Sequence, residues 1–118
     1  MQIIPFKEPS NWKEQIELDG VIFVLEFTWN ALNEFWVMDI FNRDEIPIIY
    51  GIKIVPSYPL LAAFTVLGKP TGEIVCQNIV GGNDVIGRFD MAQKFELVYY
   101  SEGELEAIAL EVEAANAV

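Results

Sequence analysis

Carboxylates are the one plentiful reactive group in this chain: 18 Asp and Glu stand against 7 Lys and Arg, and there is no His. Without an imidazole, a Ser–His or Cys–His pair cannot be assembled, and most transition-metal sites lose their usual nitrogen ligand. The single Cys76 has neither a base nor a second cysteine to work with. Within Glu73-Ile74-Val75-Cys76-Gln77 it reads as a small, half-buried strand residue. Asp39 has the oddest setting, since Met38 and Ile40 flank it in an apolar run. A charge there calls for a partner such as Lys53 on the neighbouring strand, or for an exposed face, well ahead of catalysis. Glu102, Glu104, Glu106, Glu111 and Glu113 read as the solvated face of a terminal helix. Gly81-Gly82-Asn83-Asp84 lacks the alternating oxygen ligands and closing Glu of an EF-hand, and no Gly-Lys-Ser/Thr follows to cradle a phosphate. The expectation is a protein that is not an enzyme and takes no cofactor or metal.

Charge and hydropathy narrow the classes further. Lys7, Lys13, Arg43, Lys53, Lys69, Arg88 and Lys94 are scattered, the net charge is −11, and no basic cluster exists to neutralise phosphates. Direct nucleic-acid binding is therefore not expected. No apolar run approaches the roughly 20 residues that span a bilayer; residues 46–55 are too few and carry Gly51 and Lys53. Met1-Gln2-Ile3-Ile4-Pro5-Phe6 lacks the basic stretch and long apolar core of a secretory signal. Neither membrane insertion nor secretion is expected.

Aromatic side chains are the second resource, with 3 Trp, 8 Phe and 4 Tyr in 118 residues. Trp29 and Trp36 flank one hairpin, and both suit a common core. Tyr58, Tyr99 and Tyr100 lie beside turns or strand ends, where Tyr favours contact surfaces. The candidate interface residues are Trp12, Trp29, Trp36, Tyr58, Leu60, Leu61, Tyr99 and Tyr100.

The elements that must position these residues read as strands. Residues 21–29 put Val21, Phe23, Leu25, Phe27 and Trp29 on one side of a pleat, while Ile22 and Val24 on the other turn polar at Glu26 and Thr28. Apolar residues on both faces call for covering on both, by the rest of the domain or by other subunits. Asp19-Gly20 predicts a tight type I′ hairpin after residues 15–18. Further hairpins are expected across Asn30-Ala31-Leu32-Asn33 and Asn42-Arg43-Asp44-Glu45, linking residues 34–41 and 47–55 into an antiparallel meander. Leu60, Leu61, Ala63, Phe64 and Leu67 also fit a short helical turn. Residues 73–79 and 94–100 read as the last strands. Ser101-Glu102-Gly103-Glu104 is a capping-box pattern, and Leu105, Ile108, Ala109 and Val112 continue it at helical spacing. The fold class is all-β, a meander curling into a small barrel or sandwich, with a short C-terminal helix. The expected division is a β domain over residues 1–100 and an acidic, Ala/Glu-rich helix or tail over residues 101–118.

The order of these features resembles the small baseplate plug proteins of contractile-tailed bacteriophages, of the cyanophage type. The matching residues are Ile4-Pro5-Phe6, then Leu18-Asp19-Gly20 entering a strand that ends at Trp29, then Trp36-Val37-Met38-Asp39-Ile40. Pro47-Ile48-Ile49-Tyr50-Gly51-Ile52 and Tyr58-Pro59-Leu60-Leu61 follow, with Gly68, the stretch from Gly81 to Asp90, and a closing Leu97-Val98-Tyr99-Tyr100. The resemblance leaves out the tail from Ser101 onward. It implies a virion structural protein of the tail baseplate, made in the host cytoplasm and placed near the tail axis. Its implied partners are hub, spike or tube-end proteins, in several copies of a symmetric assembly such as a closed ring or trimer. It implies no catalytic residues.

Two readings from other classes compete. A curled sheet could hold an apolar ligand in its interior, which needs a cavity of some hundreds of Å³. An acidic mimic of nucleic acid would need carboxylates arrayed on one face, and the strands carry few.

Overall fold

Asp19 and Gly20 both adopt positive φ, 51° and 77°, so the first hairpin is the tight turn its dipeptide demands. In the computed structural model, which describes residues 1–116, that turn joins β2 (Asn11–Leu18) to β3 (Val21–Asn30). The next two turns are each organised by an Asn side chain. Asn30 Oδ1 accepts the N–H groups of Leu32 and Asn33, and Asn42 Oδ1 accepts those of Asp44 and Ile46. They connect β3 to β4 (Phe35–Asn42) and β4 to β5 (Pro47–Lys53), completing a four-stranded antiparallel meander in the order β2-β3-β4-β5.

A second, three-stranded sheet has the order β1-β7-β6, from β1 (Gln2–Ile4), β6 (Glu73–Asn78) and β7 (Phe95–Tyr100). Both sheets are antiparallel and neither closes into a barrel, which leaves the sandwich of the two expected shapes. Alternation builds the core between them: Phe23, Leu25 and Phe27 from β3, Trp36, Met38 and Ile40 from β4, and Phe95, Leu97 and Tyr99 from β7. Burying each such side chain contributes about 1.5–3 kcal/mol.

The outer face of the larger sheet is covered from within. Val24 and Phe41 are cross-strand partners on that face and both are buried. Tyr50 sits edge-on to the Phe41 ring at 5.7 Å, and Lys13 lies over it at 5.7 Å while pairing with Glu45 at 3.1 Å. Val24 thus finds an apolar partner on the neighbouring strand, while Ile22 lies opposite Glu17.

Strand β5 is irregular. Met38 opposes Ile52 and Ile40 opposes Ile49, so Asp39 faces two residues, Tyr50 and Gly51, across a β-bulge. Gly51 takes φ 76°, and its N–H donates to Asp39 Oδ1 at 2.7 Å. The expected partner of Asp39, Lys53, instead lies over the Phe35 ring at 4.8 Å. A bulge turns a backbone donor toward the carboxylate, which removes the need for a cation. The bulge also shifts the pleat, so Ile49 and Ile52, three apart, both reach the core.

Residues 60–67 form turns, not a helix. The Leu60 N–H goes to the Ile74 carbonyl at 3.0 Å, the Leu61 N–H to Glu73 at 2.6 Å, and Lys69 Nζ holds the Leu61 and Phe64 carbonyls at 3.2 and 2.6 Å. Local closure is limited to two turn bonds, Ala62 N–H to the Pro59 carbonyl at 3.4 Å and Phe64 N–H to the Leu61 carbonyl at 3.1 Å. After β7 comes α1 (Glu102–Asn116), started by the capping box: Glu104 N–H to Ser101 Oγ and Ser101 N–H to Glu104 Oε1, both 3.1 Å. Ala117 and Val118, which the expected tail includes, lie outside the described residues.

Candidate interaction surface

A contact surface needs large side chains outside the core, and the structure divides the sequence candidates sharply on that test. Trp12, Trp36, Leu60, Leu61 and Tyr99 all lie in the protein's own core. Their bulk is spent between the sheets, so they offer no free face. Trp29 is partly buried, edge-on to Trp36 at 5.6 Å. Tyr100 is partly buried, its phenol accepting a hydrogen bond from Gln77 Nε2. Tyr58 is exposed.

Phe6 explains where the tryptophans went. Its ring lies 5.1 Å from Trp12, 4.9 Å from Phe27 and 4.8 Å from Trp36, edge-on to each, while Trp12 stacks on Phe27 at 4.7 Å. Edge-to-face packing of this kind adds about 0.5–1.5 kcal/mol per pair beyond area burial. The four rings fill this end of the sandwich, so the space an apolar ligand would occupy there is taken by side chains. Phe6 carried no periodic signal and stood out only within the Ile4-Pro5-Phe6 of the family resemblance.

One surface that gathers several exposed apolar side chains is the loop between β6 and β7. Asn78 Oδ1 accepts the N–H groups of Val80 and Gly81, and Asn78 Nδ2 donates to the Asn83 carbonyl and to Asp84 Oδ1. Asn83 Oδ1 accepts the Val85 N–H, and Asp90 Oδ2 the Gly87 N–H, at 2.9 and 2.8 Å. A loop tied this often is a frame, and the frame turns Ile79, Val80, Val85 and Phe89 to solvent, Phe89 at 65% exposure. Val80 and Val85 line one groove of about 320 Å³, and Phe89 another of about 320 Å³ with Phe6, Lys7, Glu8 and Arg88. In the latter, Arg88 lies 4.5 Å from the Phe89 ring and donates to the Glu8 carbonyl at 2.7 Å. Exposed apolar side chains on a hydrogen-bonded loop suit protein contact. The Gly- and Asn-rich composition signalled a loop, but not that its apolar members face outward.

Burial shifts two of the titrating groups. Burial pushes the Cys76 thiol up to about 12, and its sulfur lies 4.0 Å from Met91 Sδ, so it is a packed side chain. Burial also raises Glu14, which faces inward between Trp12 and Ile16, to about 6, with Lys7 pulling the other way. No group of three or more metal-ligating side chains occurs among the described residues, and no helix there is long and apolar enough to cross a membrane.

Comparison with known proteins gives one clear relationship. No curated protein matches the chain. A family model described as cyanophage baseplate Pam3 plug gp18 matches residues 1–102, the whole of both sheets and the first residue of α1. By that match the chain belongs to the cyanophage baseplate plug family.

Proposed function

We propose that this protein is a structural plug near the axis of a contractile tail baseplate, held in place by hub, spike and tube-end proteins. It works by assembly and occlusion and catalyses nothing. The observation that carries this reading is the outward apolar loop, with Ile79, Val80, Val85 and Phe89 on a hydrogen-bonded frame above a rigid sandwich. A plug needs a stiff body and a preformed contact surface, because ordering a loose one would cost affinity. The net charge of −11 fits a wall beside a DNA path, since it repels phosphate. Several copies around a symmetric axis follow from a place at the centre of a tail.

Quantitative mass spectrometry of purified particles tests the reading. A small, fixed copy number that survives harsh washing is the expected result. Absence from intact particles would remove the plug assignment. A Val80→Ser/Val85→Ser/Phe89→Ser variant, altered only at exposed positions, should fold normally and incorporate poorly.

A further inference from the structure

Helix α1 is rooted and then bare. Its first turn is fixed by the Ser101–Glu104 capping box and by Asp19 Oδ2, which accepts the Glu102 N–H at 3.1 Å from the β2–β3 hairpin. From Glu106 to Ala114 every residue is exposed. The β-sandwich therefore sets the direction of the helix but covers none of its shaft. A helix of this length is marginal in water without packing, so a bare one gains its stability from whatever it docks on.

The sequence of the shaft specifies that surface. Leu105, Ile108 and Val112 follow one another at three and four residues, a seam about 10 Å long at 1.5 Å per residue. Ile108 and Val112 are about half exposed, 46% and 53%. At 100° per residue, Glu104 and Glu111 fall along one flank of the seam, and Glu106 and Glu113 along the other. The opposite side, Gly103, Ala107, Leu110 and Ala114, carries no charge. The carboxylates thus border the apolar seam instead of lying diametrically across from it, and α1 contains no Lys or Arg.

We infer that α1 is a docking arm whose Leu105–Ile108–Val112 seam seats in an apolar groove rimmed by Lys and Arg on a different baseplate protein. This rests on the plug reading and names the chemistry of one partner. A second copy of α1 fits badly, because pairing two seams brings carboxylates to both rims with no countercharge. The molecule's own groove at Lys7 and Arg88 fits little better: Arg88 is committed to the Glu8 carbonyl, and Glu8 itself lines the groove. A basic rim on another protein would steer the encounter, and the seam would hold it. The family match covers residues 1–102 and so takes in only the root of the arm.

The test uses full-length protein in assembling particles. Ile108→Lys/Val112→Lys places charge in the seam at exposed positions, so thermal unfolding of the isolated protein should not change. Incorporation into particles should fall tenfold or more. Carbodiimide cross-linking of wild-type particles should join Glu106, Glu111 or Glu113 to lysines of another tail protein. Reduced incorporation without such links also supports the arm, with arginine forming the rim. Wild-type incorporation of the variant, or links confined to lysines of this same chain, would overturn it. Absence of the wild-type chain from particles would sink the plug reading and this inference with it.

Discussion

Tyr99 donates its phenolic proton to Asp19 Oδ2 at 2.6 Å, tying the central strand of one sheet to the hairpin turn of the other. The same phenol accepts the Gly72 N–H at 2.8 Å, and Asp19 Oδ2 also takes Thr71 Oγ1 and the Glu102 N–H. One side-chain pair thus joins both sheets and the base of α1.

Removing the phenol should loosen that junction. Tyr99→Phe leaves the Gly72 N–H without its partner and should cost about 1–2 kcal/mol, read by urea denaturation at pH 7. The hydrogen bond from Tyr99, then those from Glu102 and Thr71, hold the Asp19 carboxyl below its ordinary value. Its contribution is present above the unfolded carboxylate pKa and is lost as pH falls through the lower folded one. Burial, then Asp19, pushes Tyr99 up to about 12. Its contribution is present below the ordinary tyrosine pKa of about 10 and is lost as pH rises toward 12. The stability gap between wild type and variant should therefore be flat through neutrality and shrink at both extremes.

Gly72 should tolerate no side chain. A Cβ there would sit 2.0 Å from the Tyr100 carbonyl oxygen and 2.6 Å from the Tyr99 ring, so strand or ring must move. Gly72→Ala should cost about 3 kcal/mol or more, visible as a large fall in the urea midpoint. A midpoint within error of wild type would contradict the packing described.

Glu14 should be a liability at neutral pH. Its carboxyl, raised by burial to about 6, loses stability for the fold when ionised. That cost is complete above about 6 and disappears as pH falls below 4.5. Glu14→Gln should stabilise the protein at pH 7 by about 1 kcal/mol, after allowing for solvent screening of a half-exposed group. At pH 4 variant and wild type should denature together.

Phe6 should matter more than its place in an N-terminal lead-in suggests. Phe6→Ala removes the ring on which Trp12, Phe27 and Trp36 converge and should cost about 2–4 kcal/mol. Near-ultraviolet circular dichroism, which reports Trp packing, should change even where the variant stays folded.

What the sequence made legible was local. The Asp19-Gly20 turn, the two Asn-led hairpins and the Ser101–Glu104 cap each involve groups within four residues of one another, and each formed where expected. The pairing of β1 with β7 joins residues nearly a hundred positions apart and left no pattern to read. The candidate contact residues show a second limit. Residue type reports size, and Trp12, Trp36 and Tyr99 are large because the sandwich interior is wide, while position relative to the sheets decides who is free. Asp39 shows a third, since its partner is the Gly51 N–H, a backbone group that no side-chain pattern displays.

The bulge at Gly51 also shapes the open edge of the larger sheet. Strand β5 is an outer strand of its sheet, and a straight outer strand offers a row of open N–H and C=O groups to any copy nearby. Extra residues at two points of β5 break the spacing of that row, and Asp39 occupies one of its donors. A neighbouring copy therefore finds no regular ladder to extend along β5.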